Sequence, residues 1–116
     1  MLFVDPWHWL DVNGNVPRDH PQLRPKVLRL ANFIQSSADL SPGWARTTLV
    51  ECKKRPAGQR CQGLMVVTLL DDDRILAFCP VCLEEEAMIQ NWRTTPWGKG
   101  LPKAVKPSTL NQSRLE

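Results

Sequence analysis

Apolar residues recur along this chain with two different periods, and each period predicts an element. Between residues 22 and 36, Leu23, Val27, Leu30, Ala31 and Ile34 return at three- and four-residue steps, which gathers them on one helical face. Arg24, Lys26 and Arg29 fall largely off that face. Pro25 suits a first turn, where its missing N–H leaves no helical bond unmade. The pattern stops at Ser36-Ser37, ahead of the breaker Leu40-Ser41-Pro42-Gly43. From Thr47 the period shortens. Residues 47–50, 64–70 and 75–78 are rich in β-branched and aliphatic side chains and predict strands. Asp71-Asp72-Asp73 predicts the turn that folds the last two into an antiparallel hairpin. The run Ala87-Met88-Ile89-Gln90-Asn91-Trp92 is too short for its period to separate a closing strand from a short helix.

The two ends read less regularly. Phe3, Val4, Trp7, Trp9 and Leu10 precede Asn13-Gly14, a tight-turn signal that predicts a short hairpin or an ordered arm. Trp7 and Trp9 stand two apart, so an extended arm would show both on one side as a protein-partner or dimer surface. Asp11, Asn13 and Asn15 imitate the start of a calcium loop, but Val16 stands where glycine is required and Gln22 where the closing glutamate belongs. A plain turn is the better reading. From Thr95 onward the chain carries Pro, Gly and Lys with few apolar residues, which predicts a weakly ordered tail.

With 116 residues and 42% hydrophobic composition, the chain has material for one domain with a modest core, the size at which a metal staple contributes most. No apolar run approaches the roughly 20 residues of a membrane span. The N-terminus lacks a basic segment followed by an apolar one, so a cytoplasmic location is the default expectation.

In a reducing compartment, clustered thiols point to metal ligands rather than disulfides. The four cysteines are Cys52, Cys61, Cys79 and Cys82. Cys79-Pro80-Val81-Cys82 is a CPxC knuckle, whose thiolates can enter one tetrahedral pocket with backbone N–H groups turned toward the sulfurs. Eight residues separate Cys52 from Cys61, but Pro56 and Gly58 mark a turn that can bring the ends of that loop together. Four sulfur ligands close a tetrahedral zinc shell and leave no position for substrate, so the predicted site holds one structural Zn2+. A thioredoxin-like use of the CxxC would need a surrounding βαβ pattern, which is lacking. His8 could replace one cysteine, but all four cysteines already fit a hairpin-based site.

The order strand–Cys52–loop–Cys61–strand–turn–strand–Cys79-Pro-x-Cys82–strand resembles a zinc ribbon over residues 47 to 92. The resemblance implies a small antiparallel sheet with one tetrahedral zinc between two loops. The long first loop departs from the usual CxxC and puts the subtype, not the metal, in question. The stretch from Trp9 through Trp97 is also similar to small uncharacterised bacterial proteins carrying a ribbon after one helix, a likeness that brings no activity with it. The expected fold is α+β: an N-terminal arm and one helix (1–45) packed on a ribbon sheet (46–95) as a single domain, then the tail (96–116).

Catalysis is not expected. The two histidines, His8 and His20, lie in the irregular arm, no nucleophile–base arrangement is suggested, and no glycine-rich phosphate loop follows a strand. A small-molecule substrate and a membrane are likewise not expected. The expected class is a non-catalytic binding module, and nucleic acid is the first partner to consider. Lys53, Lys54, Arg55 and Arg60 crowd the first cysteine loop, and Arg93 lies between Trp92 and Trp97, whose rings could stack on unpaired bases. Charge tempers this. Residues 46–70 carry five basic side chains against one acidic, residues 71–92 one against six, and the formal total is +3. A zinc bound by four thiolates adds about −2, which basic neighbours would offset. The alternative is a protein-interaction or dimerisation module using the Trp-rich arm. Trp44 and Trp92 are assigned to the core.

Overall fold

The computed structural model describes residues 1–99 and the backbone of residues 112–114. Strands β1 (Leu2–Val4), β2 (Trp44–Glu51), β3 (Leu64–Leu69), β4 (Ile75–Phe78), β5 (Glu85–Ile89) and β6 (Gln112–Arg114) form one sheet in the order β1-β5-β4-β3-β2-β6, and helix α1 spans Arg24–Ser37. The fold is α+β. All neighbouring strands run antiparallel except β1, which pairs parallel with β5.

Alternation places one row of side chains beneath the helix. Register aligns Arg46, Val67, Ala77, Ala87 and Leu2 across β2, β3, β4, β5 and β1, and aligns Leu69, Ile75, Ile89 and Val4 one step along. Val27, Leu30, Phe33 and Ile34 of α1 are buried, and Leu30, Phe33 and Ile34 join Val4, Met65, Val67, Leu69, Ile75 and Ile89 in one core. The helix matches the predicted span to within two residues at its start and one at its end, with Pro25 in its first turn. Phe33 belongs to its buried face as well, whereas Leu23 is only half-buried. Arg46, 2% exposed, reaches the helix C-terminus, where its guanidinium donates to Ser36 O (2.9 Å) and to Asp39 Oδ1 (2.8 Å). A cation there satisfies an open helix carbonyl and complements the helix dipole.

Of the two readings of the N-terminal region, the hairpin is not formed, and the segment is instead an arm of one short strand and turns. Residues 2–4 are a strand paired with β5, so Asn13-Gly14 closes no hairpin with them. It sits in a turn fixed by Asp11, whose Oδ1 accepts from Asn13 N (2.9 Å) and Asn15 N (3.0 Å). Trp7 and Trp9 do not share one side of an extended arm, because Pro6–Trp9 is a 3-10 turn. Asp5 caps it by accepting from Trp7 N at 3.0 Å, and Pro6 presets its first dihedral. The segment after Cys82 is a strand, β5. The expected weakly ordered tail falls mostly on residues 100–111 and 115–116, outside the described residues; within it, Gln112–Arg114 pairs with β2.

Candidate metal centre

The hairpin β3–β4 has its two ends at opposite poles of the sheet, and the four cysteines gather at one of them. Cys52 follows β2, Cys61 precedes β3, Cys79 ends β4, and Cys82 lies in the turn leading to β5. The β2–β3 pairing continues past the strands through Cys52 N to Gly63 O (2.9 Å) and Cys61 N to Lys54 O (2.9 Å). These bonds bring together the ends of the eight-residue loop, whose tip is a 3-10 turn at Pro56–Gly58 with Ala57 and Gly58 at φ 54° and 79°. The second loop is a tight turn: Leu83 N donates to Cys79 O (2.9 Å), and Leu83 itself takes φ 64°.

The four Sγ atoms all lie within 4.8 Å of one another. Cys52 and Cys82 are 3.7 Å apart and Cys61 and Cys79 3.6 Å, and none of the four forms a disulfide. Backbone donors turn inward around them: Lys54 N toward Cys52 Sγ and Gly63 N toward Cys61 Sγ, each at 3.5 Å, with Val81 and Cys82 serving Cys79 and Glu84 serving Cys82. Each sulfur therefore accepts from the residue two positions on, the pattern that stabilises thiolate charge. Gly63 is needed for the approach. A Cβ there would fall 2.5 Å from Cys79 Sγ and 2.9 Å from Val81 Cβ.

The thiols are not equivalent. Burial pushes Cys52 up to about 12, reinforced by the neighbouring thiols and opposed by the Lys54 N–H. Burial acts the same way on Cys79, but backbone donors from Cys82 and Val81, with Cys61 and Cys82, outweigh it and bring Cys79 down to about 7. At Cys82 the Glu84 N–H favours the thiolate, yet burial together with Cys79 and Cys61 leaves its pKa raised. Four crowded, mostly buried thiols with donors aimed at them can hold a metal ion, which would remove the protons that burial favours.

The other predicted site residues are scattered, and most are engaged. Arg60 pairs with Glu51. Arg55 Nη2 lies 3.4 Å from Gly58 O within its own loop. Lys53 Nζ is 4.0 Å from Oε2 of Glu86, whose two carboxylate oxygens each already accept one 2.7 Å bond from Arg29. Lys54 borders a cavity near the start of α1. Arg93 lies away from the cysteine loop, at the Asp71–Asp73 turn: its Nε and Nη2 each donate to Asp73 at 2.5 Å, and its guanidinium stacks 4.4 Å from the Trp92 ring centroid. Trp92 is core, 1% exposed, with Nε1 donating to Asp73 O at 2.7 Å. Trp97 is half-buried against the core, as is Trp9, and Trp7 Nε1 donates to Thr94 Oγ1 at 3.0 Å. Trp44, assigned to the core by sequence, is 37% exposed, because it opens β2 next to the short outer strand β6.

No family model matches this chain, and comparison with curated proteins and with solved structures finds no match.

Proposed function

We propose that the chain is a non-catalytic binding module stapled by one zinc ion on Cys52, Cys61, Cys79 and Cys82, arranged as a zinc ribbon, and that its partner is a protein met at the N-terminal edge of the sheet. The sulfur cluster carries the first half. A tetrahedral zinc with bonds of about 2.3 Å requires sulfurs about 3.8 Å apart, close to the 3.6 and 3.7 Å of two pairs in a cluster whose sulfurs all lie within 4.8 Å, and four soft thiolates favour zinc over hard cations. A closed four-sulfur shell leaves no open position for catalysis.

The edge strand β1 carries the second half. It presents the 69%-exposed Phe3, which heads a row that continues through half-buried Met88 and Leu76. An exposed apolar edge strand is a template for pairing with another chain, a second copy included. The nucleic-acid reading is less well supported. Arg60, Arg93 and Lys53 each face a carboxylate, and the Trp92 ring is buried and so closed to base stacking. Elemental analysis of the purified chain is expected to give about one zinc per chain; a chain without it overturns the staple. Polarisation titrations with single-stranded and duplex DNA at low salt are expected to show no binding. Salt-sensitive binding lost on Lys54→Glu with Arg55→Glu would overturn the protein reading. A photoreactive residue at position 3 is expected to cross-link a protein that the same residue at Leu49 does not.

A further inference from the structure

Ala87, a small residue in the row beneath α1, borders space that the helix does not fill. Ala77 and Ala87 stand side by side in register, and Leu2 follows at the sheet edge. A 14-residue helix is about 21 Å long and about 10 Å wide, enough to cover two or three strands spaced about 4.8 Å apart. In a sheet of six strands, the β5–β1 side is left beyond it. A cavity of ≈ 590 Å³ lies there, with walls formed by Val4, Trp9, Leu30, Phe33 and Ala87. That volume falls in the range of small-molecule sites.

The rim is chemically uneven. Lys26, Arg29, Lys53 and Lys54 face it, against Glu85 and Glu86. Arg29 holds Glu86 with two 2.7 Å bonds, which leaves Lys53 at 4.0 Å as a weak second partner. Lys26 and Lys54 have no anionic partner among the described residues, so the rim carries unmatched positive charge above an apolar floor. Residues 100–111 contain Lys103 and Lys106 and no acidic side chain, so their charge does not suit this rim.

We infer that this cavity is a binding site for a small amphipathic carboxylate, its apolar tail among Val4, Leu30, Phe33 and Ala87 and its carboxylate between Lys26 and Lys54. The site is separate from the outward row headed by Phe3, since strand alternation turns Leu2 and Val4 the other way. Lys54 also joins the site to the metal, because its backbone N–H serves Cys52 and its carbonyl accepts from Cys61.

Titration of the isotope-labelled full chain, with its metal bound, against decanoate, decanol and decylammonium tests this by amide NMR. Decanoate is expected to give saturable shifts concentrated at Leu2, Val4, Leu30, Phe33 and Ala87, with about tenfold weaker binding of decanol and weaker still of decylammonium. Lys26→Glu with Lys54→Glu should weaken decanoate about tenfold while strengthening decylammonium, a reversal that loss of fold cannot produce. Leu2→Trp, at the partly exposed mouth, should close the site to all three probes. The inference is overturned by absence of saturable shifts, by equal affinity for decanol and decanoate, or by shifts spread over Val12, Leu49 and Leu83, which would mark surface adsorption.

Discussion

The two ends of the β3–β4 hairpin solve the same problem with different chemistry. One end is a turn, Asp71–Asp73, held by Trp92 and Arg93 through three hydrogen bonds to Asp73 and a stacked guanidinium. Its parts are complete in the protein alone. The other end gathers four thiols whose sulfurs crowd within 4.8 Å, and burial there favours protons that an ion must displace. Basic residues follow the same division. Arg93 is committed to holding a turn, whereas Lys54 beside the thiols has no carboxylate partner among the described residues. Counting cations along the sequence treats these as one class; the fold separates them.

Removing the proposed zinc should break the comparison most severely. Zinc supplies on the order of 10 kcal/mol in small structural sites, comparable with the whole stability of a domain this size. Cys79→Ser, or chelation, is expected to abolish metal retention and lower the melting temperature by more than about 10 °C. Hydrogen exchange should show amides around Cys52–Cys61 and Cys79–Cys82 losing protection first, with those around Asp73 and Trp92 losing it later. Simultaneous loss at both ends would show that they are one cooperative unit. Acid should mimic chelation. In the metal-free protein Cys52 and Cys82 are raised and therefore protonated at neutral pH, whereas Cys79 is depressed to about 7 and partly ionised. A depressed thiol favours the fold above its unfolded pKa and loses that contribution as pH falls through the folded value. Loading must displace one more proton below about pH 7 than above it, so apparent metal affinity falls with falling pH and more steeply there. A competitive chelator titration at several pH values measures the slope; a pH-independent affinity would rule out thiolate ligation.

Trp92→Ala is the matching break at the other end. Truncating a buried tryptophan costs about 3–5 kcal/mol, and here it also leaves Asp73 O without its donor. Denaturant titration should show that loss while metal content stays at wild-type level. Metal loss in this variant would mean that the two ends are coupled through the hairpin.

How far the sequence revealed these ends follows from where their partners lie. The clustering of the four cysteines was legible because they and their turn residues fall within about thirty positions and follow local spacing rules. The helix and the strand–turn–strand were legible for the same reason. The parallel pairing of β1 with β5 was not, since Leu2 meets Ala87 across most of the chain and no local period encodes it. Arg93 was read as a free cation because its partner, Asp73, lies twenty residues away across the fold. The two-residue spacing of Trp7 and Trp9 would put both rings on one side only in an extended arm, and no local period shows that an Asp5 cap before Pro6 curls the segment. Gly63 carried no signal at all; only the approach of Cys79 Sγ shows why a side chain there is not accommodated.

Gly63→Ala therefore sharpens the comparison at intermediate size. The added methyl must displace both Cys79 Sγ and Val81, which are backed by the knuckle backbone. Metal affinity is expected to fall about ten- to a hundredfold, as for other changes just outside a ligand shell. Gly58→Ala is the control: nothing lies within 4 Å, and only its φ of +79° opposes a side chain. It should cost about 1 kcal/mol in stability and leave metal affinity unchanged. Equal effects of the two substitutions would show that strain, not crowding at sulfur, governs this loop.

The smallest effect concerns a strain that both ends share. Leu83 beside the cysteines has φ 64° and Asp73 at the acidic turn has φ 69°, and neither is glycine. A non-glycine residue in this region costs about 1 kcal/mol, and glycine relieves it while adding flexibility to the unfolded chain. At Leu83 little else is lost, since the side chain is 80% exposed and only its backbone N–H holds the turn. Leu83→Gly is expected to be neutral to stabilising, by at most about 1 kcal/mol, with metal retained. At Asp73 the same relief removes both carboxylate oxygens from Arg93, an exposed but bidentate pair, and Asp73→Gly should be destabilising by up to about 1 kcal/mol. Thermal melts of the two single variants measure the difference in sign. If Leu83→Gly is destabilising by more than about 1 kcal/mol, the leucine side chain contributes to the folded chain itself, and the cysteine end is not held by metal and backbone alone.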